Sequence, residues 1–276
     1  MDRRGFVKAL RDGVSGSFLV GSLGGAVVGG GAVVAYEAKQ RRDEAGKWSY
    51  AQQGEDLIVE NILTTIGMKG PATYLDVGAY DPVFDSNTYA LYRAGGHGVL
   101  VEPNPAKIAR LEKVRPRDKT LNAGVGLSAE PTTGDYYMIA GPSAGLLNTF
   151  SKEDAEDLQR KNPGQKVIEK VIRMPLLNIN TIMQEHLGGA PSFLSLDTEG
   201  LDLEILKTLD FGRFRPDVIC VETLAVGGDA VNVDILHLLE SKHYSVRGAT
   251  FVNTIFVDDR HLGTPGPLTA PPRAKL

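Results

Sequence analysis

Thr73-Tyr74-Leu75-Asp76-Val77-Gly78-Ala79 and, shortly after it, Gly98-Val99-Leu100-Val101-Glu102-Pro103 are the stretches on which the reading of this chain turns. Each is a short apolar, β-prone run that closes on an acid and a turn residue. Runs of that length, bounded by turn signals, predict strands buried on both faces. Helical spacing of apolar residues over 87–94 and again over 105–114 places a helix after each strand.

The alternation continues outward. Strands are predicted over 119–122, 193–197 and 218–222, with helices over 201–209 and 231–242. Before the first strand, 52–68 has helical periodicity. At the other end, 244–247 and 253–257 are two strands close enough to pair antiparallel. Strands alternating with helices of this length predict an α/β fold, a doubly wound and mostly parallel sheet closed by an antiparallel hairpin. An insertion over about 125–190 interrupts the alternation, with strands at 135–139 and 167–174 and a charged helix over 152–161.

Composition narrows the function classes. A net charge of −4 and a pI near 5.8 do not fit a nucleic-acid binder. The single Cys220 excludes a disulfide framework and any multi-cysteine zinc site. It lies in an apolar strand, where a buried structural thiol is expected. His97, His186, His237 and His243 are scattered without metal-ligand spacing; a divalent cation held by Asp197, Glu199 and Glu222 is the alternative, ranked below a metal-free site.

In open parallel sheets ligands bind at the carboxyl ends of the strands. Here those ends carry Asp76 with Gly78, Glu102, Asn122 with Ala123, Asp197 with Glu199, and Glu222. An acid at the second strand end is where such folds hold ribose hydroxyls. No Gly-x-Gly-x-x-Gly or Gly-Lys-Ser/Thr loop follows the first strand; Gly78 is followed by Asp81 and Asp85. Acids at that position repel phosphate, which argues against a nicotinamide oxidoreductase. They suit a cationic, phosphate-free nucleoside, and S-adenosylmethionine fits that description.

Further residues extend the pattern: Gln53-Gly54-Glu55-Asp56, Asp81-Pro82, Ser86-Asn87-Thr88, Leu91-Tyr92, Glu102-Pro103-Asn104-Pro105, Leu121 to Gly126, Glu199-Gly200, Phe211, Arg213, Arg215-Pro216 and Glu222. In this order the chain resembles the FkbM-type S-adenosylmethionine-dependent methyltransferases, over about 50–257. Gly96 stands where that family usually has Trp, and Thr198 where it often has an aliphatic residue. The resemblance implies the class I methyltransferase, Rossmann-like fold and O-methylation of a hydroxyl on a sugar, glycan or secondary metabolite. It implies that Asp76 and Gly78 line the methionine end of the cofactor, Glu102 takes the ribose hydroxyls, and Asn122 and Ala123 sit by the adenine. Ser86 and Asn87 would border the same pocket. Asp197 and Glu199 are the candidate general bases, with a cap for the following helix as the other reading of that pair. The alternative for the whole chain is a methyltransferase fold that has lost catalysis and serves as a scaffold at a membrane.

The chain is thus divided into an N-terminal segment, 1–49, a methyltransferase domain, 50–260, and a Pro-rich tail, 261–276, expected to be disordered. Residues 13–36 carry no charge and, as a helix, are long enough to cross a bilayer. Arg3-Arg4-Gly5-Phe6-Val7-Lys8 before them resembles a twin-arginine export signal. An uncleaved membrane segment, a cleaved export signal and a soluble N-terminus are the three readings, with membrane attachment preferred. Lys and Arg lie on both sides and leave the topology open.

Overall fold

The computed structural model describes residues 47–140, 147–198, 200–224 and 231–263. The predicted apolar segment 13–36, Glu199 and most of the Pro-rich tail lie outside them. The chain divides after Lys47, and the strands and helices of the described residues lie in the second unit, Trp48–Leu276. Among the described residues no helix is long and apolar enough to cross a membrane.

Strand β1 (Thr73–Val77) sits at the centre of a seven-stranded sheet. It pairs in parallel with β2 (His97–Val101) on one side. On the other it pairs with a strand about 120 residues later, Phe193–Leu196. Numbered along the chain, with β3 Lys119–Leu121, β4 Gly124–Gly126, β5 Thr132–Ile139 and β6 Ile168–Asn178, that later strand is β7. Then come β8 (Val218–Glu222), β9 (Tyr244–Ala249) and β10 (Asn253–Asp258). The sheet order is β3-β2-β1-β7-β8-β10-β9. The first five strands are parallel, and β10 runs antiparallel to both β8 and β9. This is the doubly wound sheet with a closing hairpin that the sequence predicts. Because strand order reverses at β1, the crevice opens over the ends of β1 and β7.

Side chains alternate across the sheet with period two. Leu75 and Val77, with Val99 and Val101, face one apolar cluster, which includes Ile205, Leu206, Ile235 and Leu239. The latter lie on the helices Asp202–Thr208 and Val233–Ser241. Tyr74 and Leu100 face the other cluster, with Val59, Leu63, Leu91 and Leu111. These come from α1 (Glu55–Thr65), α2 (Tyr89–Arg93) and α3 (Pro105–Val114). Cys220, on β8, is buried in this second cluster, and burial pushes its thiol well above its ordinary range.

Two helices are shorter than their periodicity. Gly54 has φ +95°, a left-handed conformation that ends any helix before it, so α1 begins only at Glu55. The helix predicted from residue 87 begins at Tyr89. The reason is that Asn87 and Thr88 send their side chains to Ser195 and Asp76.

The insertion folds as a second sheet, in the order β4-β6-β5. It is covered by α4 (Lys152–Lys161), which Ser151 caps by accepting from the Asp154 N–H. The predicted strands and helix are all present. Strand β4 was not expected: three residues with two glycines carry no periodicity. Gly124 is required there, since a Cβ would lie 2.4 Å from the Phe150 ring. A short helix, α5 (Ile179–Ile182), continues as a π-turn to Leu187 and precedes β7; α6 (Asp202–Thr208) and α7 (Val233–Ser241) complete the second layer.

Candidate active site

A cleft lies across the carboxyl ends of β1, β2 and β7, with β4 and β5 of the second sheet on one flank. It encloses about 210 Å³, against the roughly 10–15 Å³ on the same scale that a single water needs. It is therefore large enough to take a small-molecule ligand.

Its floor is built by a close backbone crossing. Gly78 has φ +88°, and a Cβ there would lie 2.0 Å from the carbonyl oxygen of Asp197. Only glycine meets both demands. The Asp197 N–H donates to Val77 O, so the turn after β7 lies directly on the turn after β1.

Glu102 stands at the end of β2, buried and lining the cleft. Its Oε2 accepts from the Tyr80 N–H at 2.8 Å and its Oε1 from the Asn104 N–H at 2.6 Å. Each oxygen keeps a second lone pair, the arrangement a vicinal diol requires. Burial raises the Glu102 carboxyl above its ordinary range, while these two bonds and Lys107 pull it back. Tyr80 holds φ +40° to bring its N–H to Glu102, and Lys107 lies 3.6 Å from the centre of its ring.

The predicted site residues separate into two groups. Gly78, Asn87, Glu102, Ala123 and Asp197 line the cleft. Asp76, Ser86 and Asn122 are not among the residues that line it. Asp76 alternates with Val77 and so points into the layer below the sheet. There its carboxylate accepts from Thr88 Oγ1 at 2.5 Å, and burial raises it above its ordinary range. Ser86 and Thr88 both accept from Arg115 Nη1. Asn122 donates to the carbonyls of Glu102 and Pro103 and braces the turn that presents Glu102. Glu199 lies outside the described residues. The Thr198 N–H and hydroxyl, and more weakly the Gly200 N–H, donate to Asp202, a buried carboxylate that holds the turn into α6. Cap-like bonds in this turn thus reach an acid absent from the predicted pair.

Reading the residues also missed several groups. Arg115 is fully buried, paired with Asp118 at 2.7 Å, and grips the residues on either side of Asn87. Gln52, Tyr136, Asn148, Phe150 and Asn253 line the cleft from segments far apart in sequence. None carries a local signal; only the fold brings them together.

The donor set suits a cationic nucleoside without phosphate. Among the described residues lining the cleft there are three carboxylates, Asp85, Glu102 and Asp197, and no Lys, Arg or His. A pyrophosphate would meet repulsion here. At the end formed by the second sheet, Asn148 is buried, its Oδ1 accepts from the Ile139 N–H, and its Nδ2 has no partner among the described residues. Asn148, Ala123 and Tyr136 all line the cleft. Among the described residues no group of three or more His, Cys, Asp or Glu stands close enough to hold a metal ion.

The sequence profile of the Methyltransferase FkbM domain matches residues 76–246. No curated protein matches the chain. Among solved structures, a TehB-like SAM-dependent methyltransferase from Corynebacterium glutamicum is 12% identical, with 83% of this chain and 99% of that one covered and a TM-score of 0.40. The 1,6-didemethyltoxoflavin-N1-methyltransferase of Burkholderia thailandensis, solved with its substrate and S-adenosylhomocysteine, is 12% identical over 86% and 91% of the two chains, with a TM-score of 0.37. Magnesium protoporphyrin IX methyltransferase from Synechocystis, solved with bound SAM, is 10% identical over 85% and 100%, with a TM-score of 0.38.

Proposed function

The chain belongs to the FkbM methyltransferase family, whose cofactor is S-adenosylmethionine, and on that premise we propose that it methylates a hydroxyl of a sugar, glycan or secondary metabolite. The observation that carries this reading is Asp197, a carboxylate residue that lines the cleft and packs against Gly78 at its floor.

Glu102 holds the ribose diol, Ala123 and Asn148 border the adenine, and the Gly78 turn leaves room for the methionine arm. When bound, S-adenosylmethionine supplies an electrophilic methyl group whose bond to sulfur breaks with its electron pair staying on sulfur. A hydroxyl is a poor nucleophile until its proton leaves. A neutral amine is the stronger nucleophile and depends less on a base in the bond-forming step. Asp197 takes the hydroxyl proton as the oxygen bonds to the methyl carbon, a contribution of roughly 10²–10⁴-fold. Alignment of the acceptor oxygen in the cleft supplies much of the remainder.

The test uses the purified full chain, S-adenosylmethionine carrying a tritiated methyl group, and the metabolite and glycan extract of a strain lacking the chain. The expected product is heavier than its precursor by one CH₂, with the label on an ether oxygen. Label on nitrogen or carbon would overturn the reading. Tight S-adenosylhomocysteine binding with no product would point instead to a scaffold. We further place the protein at a membrane through residues 13–36, a reading supported by the absence of charge there. Recovery only in the soluble fraction of cells would overturn it.

A further inference from the structure

Exposed apolar side chains scattered singly over a surface call for no reason, but a group gathered round one site does. Five large ones gather round the cleft: Trp48, Phe84, Leu127, Leu147 and Phe251. Each lies within four residues of a side chain that lines it. Phe84 precedes Asp85, Leu147 precedes Asn148, Leu127 follows Val125 by two, Phe251 precedes Asn253 by two and Trp48 precedes Gln52 by four. The three aromatic residues are the most exposed, Trp48 and Phe84 at 67% and Phe251 at 75%.

These three belong to one edge of the sheet. Strand β10 runs antiparallel to β8 with Asn253 opposite Glu222, so the turn that carries Phe251 stands at the carboxyl edge. Phe84 lies in the loop after β1, at the same edge. The segment that enters the unit at Trp48 is bonded to both. The Ser86 N–H donates to Tyr50 O at 3.0 Å, and the Phe251 N–H donates to Gln53 Oε1 at 2.8 Å.

The chain that leads to Trp48 points to what covers this rim. Residues 13–36 carry no charge, and the eleven residues 37–47 separate them from Trp48. Eleven residues span at most roughly 36–40 Å. A bilayer that holds 13–36 therefore keeps the mouth of the cleft within reach of its surface. Trp, Phe and Leu are the side chains that enter a headgroup layer. Among the described residues lining the cleft there is no Lys, Arg or His, so the attraction of the rim is apolar and needs no anionic lipid.

We propose that the rim of Trp48, Phe84 and Phe251 docks on a bilayer surface and that the acceptor hydroxyl is carried by a lipid headgroup. This rests on the hydroxyl-transfer and membrane readings above and names the substrate class for them. A mouth laid on a bilayer meets headgroups before dissolved metabolites. The chemistry is unchanged: the hydroxyl proton goes to Asp197, the methyl carbon bonds to the acceptor oxygen, and the electron pair of the broken bond stays on sulfur.

Trp48 is the only tryptophan, so emission from the full chain reads the rim directly. The chain is reconstituted in phosphatidylcholine vesicles with plain or brominated acyl chains, and the bromines should quench Trp48. Phe84→Ser and Phe251→Ser each remove one ring and leave 1–47 intact. Each should lower the ratio of docked to undocked rim about tenfold, and the double variant should lose the quenching. Both positions are exposed, so S-adenosylhomocysteine affinity by calorimetry should stay within about twofold. In the tritium assay, run on membrane lipids of the strain lacking the chain, label should partition into organic solvent. The double variant should label those lipids at least about tenfold more slowly. Equal quenching in wild type and double variant overturns the proposal, because Trp48 would then be held at lipid by its tether alone. A blue shift that grows with protein concentration in the absence of vesicles also overturns it, by seating a second copy on the rim. Label found only in water-soluble products overturns the lipid-borne acceptor. A chain that does not float with the vesicles defeats the membrane reading, and this inference with it. A wild-type chain that labels nothing defeats the hydroxyl-transfer reading and the acceptor assigned here, while the quenching still decides the docking.

Discussion

A β-carbon added to Gly78 would lie 2.0 Å from the carbonyl oxygen of Asp197 and 3.2 Å from its carbonyl carbon. The two turns that bound the cleft floor are thus in backbone contact, and their relative position depends on residue 78 having no side chain. Gly78→Ala would combine a left-handed φ with a backbone clash. A loss of roughly 2–4 kcal/mol of stability is expected, together with a rise of more than tenfold in the S-adenosylhomocysteine dissociation constant. Thermal melting and calorimetry measure both, and an alanine variant with wild-type values would show that the contact is not required.

Glu102→Gln keeps the volume but replaces one accepting oxygen by an NH₂ that faces a backbone N–H. Both carboxylate oxygens already hold the turns at Tyr80 and Asn104. Cofactor affinity should fall by about 1–3 kcal/mol, seen as a weaker calorimetric dissociation constant for S-adenosylhomocysteine. Unchanged affinity would remove Glu102 from the ribose role.

Asp197→Asn tests the base directly. The amide matches the carboxylate in size but takes no proton at neutral pH. Turnover of labelled acceptor should drop roughly 10²–10⁴-fold, with S-adenosylhomocysteine binding retained. Equal turnover would assign proton removal elsewhere, Glu199 being the next residue to substitute.

Arg115→Met should damage both stability and the site. Arg115 and Asp118 form an ion pair with both side chains fully buried. Removing one partner strands the Asp118 carboxylate, which also accepts from Tyr74 and from the Gly98 N–H. The expected loss is about 3–5 kcal/mol in urea unfolding. Cofactor affinity should weaken as well, because Arg115 bonds to Ser86 and Thr88 on either side of Asn87. A variant as stable as the wild type would show the pair to be replaceable.

The Glu55 carboxyl gives a pH signature. Its value is held below the ordinary 4.5 in the folded protein, so the folded state binds fewer protons there than the unfolded chain. The stability it contributes is present above about 4.5 and is lost as pH falls through the folded value. Urea midpoints of wild type and Glu55→Gln should therefore differ most near neutral pH and converge in acid. A constant gap between pH 7 and 3 would contradict the assignment.

Local patterns in the sequence were enough for the strands at Thr73–Val77 and Val218–Glu222, the helices Pro105–Val114 and Lys152–Lys161, and the closing hairpin. Apolar periodicity and turn residues are properties of neighbouring positions, so the α/β alternation and the acids at its strand ends were legible without a structure. Gly78, Glu102 and Asp197 could be named because strand ends are where such sheets bind. Which way a side chain points is set by register and by the layer beneath, and that is not local. Pleat alternation turned Asp76 away from the cleft, and a buried arginine from beyond α3 took hold of the loop around Asn87. Asn253 lines the cleft, and Glu55, nearly two hundred residues earlier, packs against it and takes its NH₂. The sequence by itself determined the sheet and the kind of cofactor; the tertiary structure alone decided which side chains line the cleft and which brace it from below, since that depends on contacts between segments that the chain order keeps apart.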